Sequence, residues 1–469
     1  MSRISALAAS RRNTELGLVV FAGVITACGY TLSTLGRDAD IPGNLGPFLG
    51  VVLGLLVAAH IATRRLAKGA DSVLLPLAAL LNGIGFTVLA RLDAKRLAGL
   101  QATWTLVGVA AYIAVLIFVR RSNDLRNYQW TFLIAGVALL LLPFVPGVGR
   151  TFGTGARIWV RLGPIGFQPG ELAKVCLALF FAGYLTEHRE LIAAGTWRVG
   201  PFNLPEPRHL FPLVAAWGVS VLVMVGQRDL GSSLLFFALF LVLLWVATER
   251  ASFLAIGTLL FAGGAYVAWN AFSHVQDRVD IWLDPWSRYA PPSDGKGYQI
   301  VQAMFAFGNG GIAGTGLGLG TPNKIPEAKN DFIFAAIGEE LGLFGATAVL
   351  LAFILMIGAG LRCALRADRP FEKLLATGLT TIIGVQAFII IAGVIRVLPL
   401  TGVTLPFVSY GGSSLVANYV LLGLLMRISD SGARRLGEVP DELDPAEKRA
   451  LKRFAKASKK AGNDDTVIA

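Results

Sequence analysis

The chain has 469 residues, of which 54% are hydrophobic and 15% charged, and its mean hydropathy is +0.63. Soluble proteins carry about 25% charged residues, so a water-soluble globule is excluded; at about 20 apolar residues per crossing the chain can supply roughly ten to twelve membrane helices. The net charge of +12, from 42 Lys and Arg against 30 Asp and Glu, reads as membrane orientation rather than as a nucleic-acid partner.

Arg11-Arg12 precede about 20 apolar residues from Leu16, too long a run for a cleaved signal sequence, which predicts an uncleaved first helix. Apolar windows of spanning length lie at about 16–36, 45–63, 73–91, 100–119, 129–147, 171–187, 209–226, 231–249, 252–272, 332–361, 374–397 and 412–427. They predict an all-α polytopic integral membrane protein with about twelve transmembrane helices. The tenth window exceeds one straight crossing, so Asp331 to Leu341 is expected to form a short entering helix before the span.

An even count puts both termini on one side. With the N-terminus in the cytoplasm, 27 of the 42 basic residues fall in inner segments, counting Arg427 at the end of the last window, the direction the positive-inside rule requires. The division is then a cytoplasmic segment 1–15, a transmembrane domain 16–428 and a basic cytoplasmic tail 429–469. Loops at about 148–170, 273–330 and 398–411 face outside, the one at 273–330 being the largest. The tail has seven basic residues within 448–460, which fits either a helix lying on anionic membrane lipid or a solvated segment. Cys28, Cys176 and Cys363 have no metal-ligand spacing, and neither a disulfide nor zinc is expected.

Transporters mark their pathway with ionisable groups near mid-membrane. Here the helices are nearly charge-free, and the polar, Gly-rich and aromatic material collects in the three outer loops. The first holds Arg157, Trp159 and Arg161, then Pro169-Gly170-Glu171 and Lys174; the three-residue spacing puts Glu171 and Lys174 on one helical face, where they can pair. That pair either caps the helix or presents Lys174 to a lipid diphosphate. The second loop carries Arg278, Gln302 and seven glycines between Gly308 and Gly320. Such a run suggests close backbone approach to a ligand, but no Gly-Lys-Ser/Thr follows, so it is not a P-loop. It ends at Asp331, which either caps the next helix or, partly desolvated, serves as a general base.

Five ordered stretches carry a family resemblance: Gly155 to Lys174; Gln227-Arg228-Asp229-Leu230-Gly231; Asp284-Pro285 with Gly297-Tyr298-Gln299; Pro326-Glu327-Ala328 through Asp331 to Gly338-Glu339-Glu340-Leu341-Gly342; and Pro399-Leu400-Thr401-Gly402 through Ser409-Tyr410-Gly411-Gly412-Ser413-Ser414. Together they resemble the SEDS family (shape, elongation, division and sporulation) of peptidoglycan polymerases. The sequence departs from the family pattern at Ile158, Arg228, Lys329-Asn330 and Ile390. Since the family has ten crossings, two of the five helices before Gly155 are an N-terminal addition.

The resemblance implies a multi-pass protein of the bacterial cytoplasmic membrane that polymerises lipid II at the outer face for cell elongation and shape. Asp331 takes the place of the family's essential aspartate. The implied substrate-binding set is Arg157, Trp159, Glu171, Lys174, Arg278, Gln302, Lys324, Glu327, Ser409, Tyr410 and Ser413. Implied partners are lipid II, a class B penicillin-binding transpeptidase, other elongation or division proteins and membrane lipid. Transfer from an α-linked sugar diphosphate to give a β-linked glycan inverts the anomeric carbon and needs one base, cations for the diphosphate and tight positioning, not the carboxylate pair of a glycoside hydrolase. Arg157, Lys174 and Arg278 are the candidate cations; a divalent cation could share their role, though no ligand cluster in the sequence marks one. The alternatives are a lipid-linked precursor flippase or scramblase, a division-type rather than elongation-type polymerase, or a purely structural scaffold.

Overall fold

Leu, Val, Ala, Phe and Gly fill most of the chain with no polar stripe at helical spacing, and a helix apolar on all sides is stable only when buried in protein or lipid. The computed structural model describes residues 3–39, 45–93, 96–152, 156–162, 165–194, 197–199, 202–204, 206–288 and 297–438. The helices there are α1 (Arg3–Asp38), α2 (Leu45–Leu66), α3 (Leu74–Leu92), α4 (Leu97–Phe118), α5 (Gln129–Leu141), α6 (Gly170–Ala194) and α7 (Pro207–Gly226). They continue as α8 (Leu230–Thr248), α9 (Ala251–Ala271), α10 (Ser273–Leu283), α11 (Tyr298–Gly310), α12 (Ile333–Arg366), α13 (Pro370–Val394) and α14 (Gly412–Arg435).

Each apolar window of the sequence coincides with a helix. Among the described residues ten helical segments are long and apolar enough to cross a membrane; α2, of 22 residues, and α6, of 25, supply the other two windows. In the candidate spans of α3, α13 and α14, 89%, 78% and 83% of the most apolar window is buried, against 11% in α9. The first three are therefore the centre of the bundle, and α9 lies at its periphery.

Within the expected segments the structure adds three details. The loop at about 148–170 contains a small antiparallel sheet, β1 (Gly149–Phe152), β2 (Ala156–Leu162) and β3 (Ile165–Phe167), with Val160 opposite both Gly149 and Phe167. A second hairpin pairs β4 (Trp197–Val199) with β5 (Phe202–Leu204), so the helical protein carries two small sheets. The segment 1–15 is helical from Arg3 onward, with Arg12 and Glu15 buried, and α14 continues to Arg435 with Asp430 buried. The basic run 448–460 lies outside the described residues.

The Gly-rich run has a structural partner. Helix α12 breaks at Gly342 (φ 65°, ψ −162°), separating a short first part from the long span, as the over-long window requires. Residues 311–316 enter the break and replace its missing helical bonds: Thr315 N donates to Glu339 O (2.9 Å), Gly316 N to Glu340 O (3.0 Å) and Leu343 N to Gly311 O (3.0 Å). This strap satisfies backbone groups that the break would leave bare in a membrane-embedded protein. A Cβ on Gly342 would lie 2.3 Å from Gly314 N, so the glycines allow chain to approach chain, where the sequence suggested a ligand.

The strap is gripped from two sides. Arg91 of α3 donates to Glu340 Oε1 and to Gly320 O, both at 2.9 Å. On α1, a Cβ at Gly36 would stand 2.2 Å from Leu317 O, and one at Gly318 (φ +83°) 2.3 Å from Ser33 O. Gly318→Ala is therefore expected to cost about 1–3 kcal/mol for its left-handed backbone alone. Gly308→Ala, with nothing within 4 Å of the added carbon, is expected to be neutral or stabilising. Melting temperatures of the two variants in detergent check this, and equal values would contradict the contact.

At the opposite end, Arg427 of α14 donates to Leu66 O (2.7 Å), Asp430 accepts from Gly69 N (2.7 Å), and Asp71 pairs with Arg362 of α12 (2.8 Å). The α1–α2 pair is thus fixed to the rest of the bundle near both of its ends. Between its two helices, buried Glu15 holds Arg12 and faces His60 Nδ1 at 2.7 Å.

Candidate active site

Asp331 sits on the turn that leads into α12, next to a chain reversal at Glu327 (φ +55°) closed by Asn330 N donating to Glu327 O (2.9 Å) and Asn330 Nδ2 to Glu327 Oε2 (2.7 Å). The Ser409-Tyr410 stretch holds this turn from the other side. Ser409 Oγ donates to Asn330 O (2.7 Å) and accepts from Leu405 N (2.9 Å), and Tyr410 N donates to Lys329 O (2.9 Å). The hydroxyl of Ser409 therefore positions the backbone on which Asp331 stands.

Arg278, on α10, donates through Nη1 to Leu400 O at 2.5 Å. Arg278 and Asp331 converge on Gly402: a Cβ there would be 3.7 Å from Arg278 Nη2 and 3.6 Å from Asp331 Oδ2. Among the described residues no side chain or backbone group hydrogen-bonds the Asp331 carboxylate. Burial, then the nearby negative charge of Glu327, pushes its pKa up to about 7, while Arg278 pulls it down and Asp229 adds to the rise. Burial also lowers the pKa of Arg278, against the opposing effects of Asp331 and Asp229.

Asp229 caps α8, accepting from Ser232 N (2.9 Å) and Ser232 Oγ (2.7 Å); burial raises its pKa. Deeper in the bundle, Lys174 Nζ is 2.7 Å from Glu171 and donates to Gln386 Oε1 of α13 at 2.8 Å. Gln386 Nε2 donates to Thr404 O (2.8 Å), and Thr404 Oγ1 to Ser414 Oγ (2.9 Å). Lys174 is only 4% exposed, so the pair with Glu171 is an interior one and Lys174 is tied to the loop that carries Gly402.

The remaining residues of the expected set divide. Ser413 Oγ accepts from Gln168 N (2.8 Å), joining the start of α14 to the approach to α6. Arg157 and Trp159 share one face of β2; Arg157 is exposed, Trp159 half-buried, and Arg157 N reaches Gln227 O at 3.3 Å. Ile158, on the opposite face, lines a small cavity with Gln168, Gln227 and Asp229. Tyr410 is half-buried, and burial raises the pKa of its phenol. Glu327 is exposed beside Asp331. Gln302 and Lys324 are elsewhere, lining a separate cavity with Glu339.

Sequence reasoning left out Asp229, Gln386 and Thr404. Asp229 was within reach, as the only carboxylate of its motif; Gln386, one amide in an apolar run, has no local signal that pairs it with Lys174. Among the described residues no group of three or more His, Cys, Asp or Glu converges as a metal-ligand set.

Fold and site define a polytopic membrane protein in which the Asp331 carboxylate and the Arg278 guanidinium meet where helix ends join loops. The sequence profile of FtsW, RodA and SpoVE, described as a cell cycle protein, matches residues 73–433. The chain belongs to the FtsW/RodA/SpoVE family. It is 44% identical over 445 residues to the peptidoglycan glycosyltransferase RodA of Mycobacterium tuberculosis, covering 93% of this chain and 94% of that protein. To the probable peptidoglycan glycosyltransferase FtsW of Geobacter sulfurreducens it is 36% identical over 307 residues, covering 65% and 78%. A solved structure, described as the structural coordination of polymerization and crosslinking by a peptidoglycan synthase complex, superposes with a TM-score of 0.63 at 25% identity, covering 77% of this chain and 98% of that one. The family match starts at residue 73, beside the first residue of α3, so α1 and α2 lie outside it. The alignment with the mycobacterial protein is too long to omit all of residues 1–72.

Proposed function

We propose that this chain is a peptidoglycan glycosyltransferase that polymerises lipid II into glycan strands at the outer face of the bacterial cytoplasmic membrane. The observation that carries the mechanism is a carboxylate with no hydrogen-bond partner among the described residues, its pKa pushed up to about 7, facing an Arg across a glycine. Asp331 accepts the proton of the acceptor sugar 4-hydroxyl as that oxygen attacks the anomeric carbon of the donor, and the lipid diphosphate leaves with inversion. Arg278, beside Asp331, and Arg157, exposed on β2, offset the diphosphate charge. Lys174 adds positive charge from within and, through Gln386 and Thr404, holds the 398–411 loop against the reacting groups.

The longer match to RodA than to FtsW supports a role in elongation and shape rather than in division. A class B penicillin-binding protein is the proposed transpeptidase partner, since a structural relative is a synthase complex that couples polymerization to crosslinking. Lipid II polymerisation by the purified protein, with and without such a partner, tests the reading. Movement of lipid II across vesicles without any glycan product would favour a flippase instead.

Both termini are proposed to be cytoplasmic. Ser293, in the largest loop, lies outside the described residues, so the test uses exposed Ser287 at one end of the bundle and exposed Lys68 at the other. In a chain whose exposed Cys28 has been replaced, Ser287→Cys is expected to react with an impermeant thiol reagent on intact cells, and Lys68→Cys only after permeabilisation. The reverse pattern would place the proposed active site in the cytoplasm and overturn the reading.

A further inference from the structure

The larger of the two cavities described above does not touch Asp331. It measures about 180 Å³ and is lined by Gln302, Phe305 and Asn309 of α11, Thr321 and Lys324 of the segment after the strap, and Glu339 of α12. A space of this size takes several waters or one sugar ring. Its chemistry is mixed: two amides, a hydroxyl, one cation and one anion. Lys324 and Glu339 cancel in charge, so a phosphate gains little there. Phe305, 45% exposed, offers an aromatic surface and packs edge-on against Trp286 at 5.8 Å.

Aromatic surface beside amide, hydroxyl and carboxylate groups is what a polyhydroxylated, uncharged ring needs: its C–H face rests on the aromatic ring while its hydroxyls both donate and accept. Glu339 is already oriented for this, since Oε1 accepts from Thr321 N (3.0 Å) and Thr321 Oγ1 (3.2 Å), while buried Oε2 has no hydrogen-bond partner among the described residues. Glu339 lies six residues along α12 from Ile333, about 9 Å at 1.5 Å per residue, so an extended strand with one end at Asp331 has a later ring within reach.

We infer that the cavity between α11, the strap and α12 is a sugar-binding subsite that holds one ring of the glycan strand away from the reacting end. The inference rests on the polymerase reading and adds a second point of grip on the strand. A strand held there stays on the enzyme between additions, so the subsite governs how long strands become.

Two measurements test it. Soluble, uncrosslinked glycan tetrasaccharide is titrated into Asp331→Asn protein while tryptophan fluorescence is followed, with Trp286→Phe identifying the responding indole. Phe305→Ala and Asn309→Ala, both at exposed positions, are expected to weaken binding about fivefold each, the worth of one aromatic contact and of one ordinary polar contact respectively. In the Asp331-intact protein the same substitutions should shift the product to shorter strands. No binding of the tetrasaccharide, or equal binding by correctly folded Phe305→Ala and Asn309→Ala with strands of unchanged length, would overturn the subsite alone. Failure of the unsubstituted protein to make any polymer from lipid II would remove the polymerase reading and the subsite with it.

Discussion

Asp331→Asn is expected to abolish lipid II polymerisation, with a rate loss of about 10²- to 10⁴-fold, the usual cost of losing a general base, while the protein still inserts and melts cooperatively. The amide keeps the size of the carboxylate and cannot take the hydroxyl proton. Because the pKa is raised to about 7, the carboxyl is neutral and inactive below that pH, so the rate should climb as pH rises through about 7 and level off above it. Stability runs the other way. A carboxyl whose pKa is higher folded than unfolded favours the folded state most at low pH, and that contribution is lost as pH rises through the folded value; at pH 8, Asp331→Asn should therefore be at least as stable as the parent. Removing the neighbouring cation in Arg278→Gln should shift the midpoint of the rate profile upward, since Arg278 pulls the Asp331 pKa down. Full polymerase activity in well-expressed Asp331→Asn protein would end the mechanism.

Lys174→Met is the second substitution expected to act strongly, for two separable reasons. An exposed ion pair is worth about 0–1 kcal/mol, but Lys174 and Glu171 are 4% and 7% exposed at the side chain, and breaking a buried pair leaves one uncompensated charge at a cost of about 3–5 kcal/mol. Lys174→Met should lower both stability and polymerisation. The double variant Lys174→Met with Glu171→Gln removes both charges and should recover much of the stability, as neutral replacements of buried pairs do. If Lys174 also supplies charge to the lipid diphosphate and holds Gln386, the double variant should remain a poor polymerase at its restored melting temperature. Recovery of activity together with stability would reduce Lys174 to a structural role.

How far these features were readable from residues alone depended on the range of the interaction involved. The twelve apolar windows follow from run length, a local property, and each became a helix. The over-long tenth window announced its break, and Gly342 is where the break falls. What closes the break was not legible, because hydrogen bonds between the strap and α12 join segments that no periodicity relates. The sheet at 149–167 was partly legible: Arg157, Trp159 and Arg161 alternate with Ile158 and Val160, the period of a strand, yet in so short a run that alternation is easily passed over. The Glu171–Lys174 pair could be read from helical spacing. Its depth and its link to Gln386, 212 residues away, required the packed bundle. In the Ser409-to-Ser414 motif, residue type signalled function, while the structure shows Ser409 and Ser413 holding backbone in place.

The contact between Gly36 of α1 and the strap has a consequence for how such an enzyme can be controlled. The two N-terminal helices lie outside the family match, yet one end of α1 closes on the loop that completes α12 and borders the 180 Å³ cavity, while their other end is bonded to α12 and α14. Anything that shifted this pair relative to the bundle would act on the strap from a distance, without touching Asp331. The helices that the family match leaves out thus reach the loop beside the cavity that the matched region forms.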